Sequence, residues 1–72
     1  MYILQEIQTT NGQTALLPPA TYTDRLEAES AYHARLSSAA ISTVDIHAVM
    51  LHSEYGNILL REYYAHNGRP EE

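Results

Sequence analysis

Four histidines, five serines, six tyrosines and four arginines are the side chains in this chain that could do chemistry. A zinc site needs three or four ligands converging on one point. The histidines, His33, His47, His52 and His66, show no HxH, HxxxH or HExxH spacing, and carboxylates do not cluster with them. His47 and His66 can share one face of a hairpin, while His52 belongs to the opposite face and His33 to a helix. That pattern predicts singly placed histidines and no metal. None of Ser30, Ser37, Ser38, Ser42 and Ser53 sits in a GxSxG elbow. Glu62 is a lone carboxylate on a strand. The three glycines each stand in a turn-like context, without a GxGxxG or Walker pattern to cradle phosphate. There is no cysteine, which removes thiolate zinc sites and disulfides. The residue set predicts neither an enzyme nor a resident cofactor.

Binding fits the composition better. Tyrosine rings stack, arginine grips anions, and histidine supplies hydrogen bonds. Tyr32, His33, Arg35, His47, Arg61 and Tyr64 are the candidate ligand contacts, chosen as polar or aromatic groups near the helix and sheet faces. Together they would suit a small nucleotide-like ligand; the alternative is that the same surface grips a host protein. A nucleic acid polymer is a poor partner, because nine Asp and Glu face only four arginines and no lysine, for a net charge of −5. An acidic DNA mimic fits poorly too, since only 18% of residues are charged and two of the acids are the last two residues. Every aromatic residue is tyrosine, a large apolar body with a polar tip, suited to half-buried surfaces and interfaces.

One stretch must position these groups. Residues 23–42, TDRLEAESAYHARLSSAAIS, carry a helix start, a helical period and a helix-sized length. Thr23 and Asp24 are both good N-caps, and Asp24 with Glu27 has capping-box spacing. Leu26, Ala28, Tyr32, Leu36, Ala39 and Ala40 recur at three- and four-residue steps as one alanine-rich stripe. The β-branched run after Ala40 predicts an end near Ala40 or Ile41. Before the helix, residues 2–9 alternate as a strand, with Ile3, Gln5, Ile7 and Thr9 on one face and Tyr2, Leu4, Glu6 and Gln8 on the other. Asn11-Gly12 is a two-residue hairpin turn. Residues 13–17 then return as a short strand that Pro18-Pro19 stops. After the helix, strands over 44–53 and 58–66 flank a turn at Glu54-Tyr55-Gly56-Asn57 and pair as a hairpin. The expected architecture is α+β: one helix on a small antiparallel sheet, order β-(β)-α-β-β, as a single domain over 1–66 with a flexible tail over 67–72.

The last hairpin has two apolar faces. Val44, Ile46, Ala48, Met50, Leu59, Tyr63 and Ala65 share one; Val49, Leu51, Ile58, Leu60 and Tyr64 share the other. One helix covers one face, so the second calls for another copy or a partner unless residues 11–22 fold over it. The expectation is a homo-oligomer joined through the sheet. Leu51 and Leu60 are the positions chosen to test that face. A 72-residue chain without disulfides also has little core of its own.

YILQEIQTTNG, AESAYHARLSSAAIS, the strand histidine His47 and YGNILLREYYAH together resemble short uncharacterised proteins of phages, prophages and mobile elements of Gram-positive gut bacteria. The resemblance spans nearly the whole chain and attaches no activity to any residue. It implies a context: small accessory proteins that inhibit host defence, sequester a defence signal or assist particle assembly. The start MYILQEIQ has no basic region before an apolar core, and no apolar run approaches the roughly 20 residues that span a bilayer. The expected place is the cytoplasm of the host bacterial cell, with no membrane partner.

Overall fold

The computed structural model describes residues 1–66; the tail expected over 67–72 lies outside the described residues. The elements are β1 (Tyr2–Thr10), β2 (Gln13–Leu16), β3 (Ala20–Tyr22), α1 (Arg25–Ala40), β4 (Ile46–Ser53) and β5 (Ile58–Ala65). They form the expected α+β arrangement, one helix and an antiparallel sheet. β1 is central. β4 pairs along one of its edges and β5 lies outside β4, while β2 and β3 share its other edge.

The turn after β1 follows from Asn11 and Gly12, whose φ of 53° and 79° are the left-handed values a tight hairpin requires. β2 then pairs back along β1, from Thr10 opposite Gln13 to Ile7 opposite Leu16. The Leu17 amide donates to the Glu6 carbonyl at 3.0 Å, the last rung before Pro18-Pro19. The prolines interrupt the return strand without ending it. Pairing resumes in β3, with Tyr22 opposite Tyr2. Proline has no amide to donate, and on an edge strand that loss leaves the sheet intact. Residues 11–22 therefore extend the sheet edge and do not fold over its face.

Asp24 caps α1. Its Oδ2 accepts from the Glu27 amide at 3.0 Å, and Glu27 puts negative charge at the positive helix end. At the other end the Ile41 and Ser42 amides donate to the Ser38 and Ala39 carbonyls. Ala28, Tyr32 and Ala39 are buried against Leu4, Val49 and Leu51, with Ala31, Leu36, Leu60, Tyr2, Ala20 and Tyr22 packed around them. Two alanines with no exposure let the helix backbone sit close to the sheet. Leu26, 74% exposed, and Ala40, also exposed, differ from the expected stripe. The buried set runs through 28, 32 and 39, and two residues back from Ala28 is about 200° around the helix. The same geometry turns Arg35, three residues after Tyr32, toward the sheet.

β4 begins at Ile46, two residues later than expected, because Asp45 is a junction. Its Oδ2 accepts from the Asn11 amide at 2.9 Å and its carbonyl from the His66 amide at 2.6 Å. A register irregularity at Leu51/His52 sets Ile58 opposite His52. The simple alternation that grouped Ile58 with Leu51 fails there, as a bulge shifts every residue beyond it.

The helix covers the face carrying Leu4, Glu6, His47, Val49, Leu51 and Leu60. Leu51 has no exposure and Leu60 packs against the core. Neither belongs to the uncovered face they were chosen to test. That face carries Ile3, Gln5, Ile7, Thr9, Ile46, Ala48, Met50, Arg61, Tyr63 and Ala65, by strand alternation and register.

Candidate functional site

The polar groups of this domain converge between α1 and the sheet. Glu6 sits mid-β1 opposite Val49, and His47 lies diagonally across on β4, opposite Gln8. Diagonal neighbours on one face are within reach for long side chains. His47 Nε2 lies 2.8 Å from Glu6 Oε1, and Ser42 Oγ lies 3.2 Å from His47 Nδ1. Arg35 Nη1 donates to Glu6 Oε2 from the helix above. Glu6 and His47 are 6% and 4% exposed. Such burial demands partners, and among the described residues every buried side-chain nitrogen or oxygen has one. A carboxylate only accepts, so Nε2 carries the proton shared with Glu6. Nδ1 makes the second bond, with the Ser42 hydroxyl.

Burial alone would raise the Glu6 carboxyl, but hydrogen bonds from His47 and Arg35 and the Arg35 charge outweigh it and hold it below the usual range. Next to this cluster, burial pushes the Tyr32 phenol up, with Glu62 and Tyr64 adding to the shift. Tyr64 stands opposite His47 on β5, its ring nearly parallel to that of His66 at 6.2 Å. His66 Nε2 donates to the Ala39 carbonyl at 2.8 Å, tying the end of β5 to the end of α1.

Tyr32, Arg35, His47 and Tyr64 are thus brought to one side of the sheet. His33 and Arg61 are not. His33 is on the exposed side of α1, its ring edge-on to Tyr32 at 5.2 Å. Arg61 is opposite Met50 on the uncovered face. Two residues of the cluster, Glu6 and Ser42, were not among the sequence candidates. Glu6 had a legible signal, a charge at a position whose strand alternation assigns it to the same face as Leu4. Ser42 had none, since its place depends on how the chain leaves the helix.

Hydroxyl, imidazole and carboxylate stand here in the order of an acyl-transfer relay. The surroundings oppose that use. Ser42 follows the C-cap Ile41, and no basic residue occupies the last helical turn. An oxyanion forming there would meet the negative end of the helix dipole. The second Glu6 oxygen is occupied by Arg35. What this geometry does well is tie α1, β1 and β4 together through one buried carboxylate.

Among the described residues no group of three or more His, Asp or Glu is placed to hold a metal ion, and no helix is long and apolar enough to cross a membrane. Comparison with family models, with curated proteins and with solved structures finds no match to this chain.

Proposed function

We propose that this chain is a small accessory binding protein that acts by stoichiometric contact with a protein, through the sheet face that α1 leaves uncovered. The observation that carries this reading is one apolar row crossing four strands: Leu16, Ile7, Ala48 and Tyr63 are successive register partners. Leu16 is 65% exposed. Tyr63 is exposed as well, and Ile7 and Ala48 are half-buried; contiguous accessible apolar surface marks interaction sites. The resemblance to proteins of phages and mobile elements supplies the context, either occlusion of a host defence protein or particle assembly.

Sequestering a small nucleotide has less support within one chain. Arg35 and Arg61, the groups offered for phosphate, lie on opposite faces of the sheet, and Arg35 is already neutralised by Glu6. Native mass spectrometry on gently purified protein separates the two roles. The expected result is a protein complex with no retained small molecule. A retained mass of nucleotide size that disappears in Arg61→Ala would replace the protein-binding reading with the ligand reading.

A further inference from the structure

We propose that the occupant of the uncovered sheet face is a second copy of this chain, packed face to face about a twofold axis. This rests on the reading of that face as a protein-binding surface and adds what covers it in the free protein, a second copy that a target protein must displace.

Charge on the uncovered face favours a second copy. The described residues include seven acids, Glu6, Asp24, Glu27, Glu29, Asp45, Glu54 and Glu62. None belongs to the rows of the uncovered face. Glu6 and Glu62 alternate onto the helix side; Asp24, Glu27 and Glu29 are in or beside α1; Asp45 and Glu54 lie in connections. Among the described residues, Arg61 is the one formally charged strand residue on that face. With the seven described acids kept off that surface, two copies can meet there without carboxylate repulsion, each bringing one Arg61. A partner recognised by charge would have little to read there, whereas interface centres are depleted of charge and rich in apolar and tyrosine side chains.

The area of the face favours a second copy as well. Four strand positions about 4.8 Å apart and eight residues rising about 3.3 Å each give a face of roughly 19 by 26 Å, or about 500 Å² in projection. A pleated surface has more accessible area than its projection, so the whole face approaches the roughly 600–800 Å² per partner of small to standard interfaces. Only an occupant that spans all four strands makes use of it. A second copy does so by construction, with two sheets about 10 Å apart and side chains interdigitating. Self-pairing also makes each contact twice, as in any isologous dimer.

The test is sedimentation velocity across low to high micromolar concentration. Wild type is expected to run as a dimer. Ala48→Arg, checked for fold by circular dichroism, is expected to weaken it roughly 100-fold or more because it buries an unpaired charge, and Met50→Asp, checked likewise, roughly 10-fold because it desolvates a carboxylate beside Arg61. Ser37→Asp, on the exposed side of α1, is expected to leave it unchanged. Since the chain has no cysteine, Ala48→Cys with a short bifunctional maleimide reports the same face without adding charge. It is expected to cross-link where Ser37→Cys does not. A wild-type monomer at every concentration overturns the dimer. If that monomer still holds a different protein and loses it in Met50→Asp, the proposed function stands without the dimer; if Met50→Asp changes nothing, both fall. A dimer unaffected by both charge variants, or cross-linked only through Ser37→Cys, also overturns the proposal.

Discussion

Replacing Glu6 by Gln keeps the shape of the side chain and removes the charge that Arg35 and His47 share. Gln has one acceptor oxygen and a donating NH2, so it keeps a bond from buried His47, weakened from about 1.5–3 to about 0.5–1.5 kcal/mol, and loses the bond from Arg35, which its NH2 now faces. The Arg35 side chain is 43% exposed, which screens its share, so the net loss is about 1–2 kcal/mol. For a domain of this size that lowers Tm by roughly 5–15 °C. The assay is thermal unfolding by circular dichroism at fixed protein concentration, repeated from pH 7 into acid. Folded Glu6 ionises below its ordinary value of 4.5. Its contribution is therefore complete above that value and is lost as pH falls through the lower folded value. Wild type is expected to lose stability below about pH 4.5 faster than Glu6→Gln, so that the two curves converge in acid. Glu54 is also held low, by the N-terminal ammonium, but at an exposed site; Glu54→Gln is expected to change the acid limb little. Equal Tm values at pH 7 with parallel acid limbs would refute the role given to the buried carboxylate.

Neighbouring residues on opposite faces make a sharp contrast. Leu51→Asp puts a charge at a position with no exposure and is expected to abolish cooperative unfolding, while Met50→Asp keeps a native circular dichroism spectrum. Asp24→Ala removes the cap on the Glu27 amide and is expected to destabilise by about 1 kcal/mol in urea unfolding. Gly12→Val places a β-branched residue at φ +79° in otherwise open space; strain alone is expected to cost about 1–3 kcal/mol, read as a lower urea midpoint.

The fold was legible where local chemistry is strong. The Asp24 cap, the Asn11-Gly12 turn and the alternation of β1 and β4 each name an element before any tertiary contact is known. Arg35 was harder to place. Helical period puts it within one turn of Tyr32, but its tie to Glu6 depends on how closely the alanine face lets the helix approach. An Arg35→Ala variant, which the sequence alone offers as a probe of ligand binding, therefore reports on folding as well, since it leaves Glu6 buried with His47 alone. The choice of which apolar face the helix takes was not legible. Val49 with Leu51 and Ala48 with Met50 are equally apolar, and the selection comes from Leu4 and the Glu6 tie on β1. The bulge opposite His52 also escaped alternation, because nothing in Ile58-Leu59-Leu60 marks where the extra residue sits.

The most direct test of the account is a methyl NMR concentration series on the chain labelled at Ile, Met and Ala. It predicts shifts at Ile7, Ala48 and Met50 as the uncovered face becomes occupied, with Ala28 and Ala39 under the helix unmoved. Changes confined to Ala34 and Ile41 on the helix side, with Ile7, Ala48 and Met50 constant at every concentration, would contradict it.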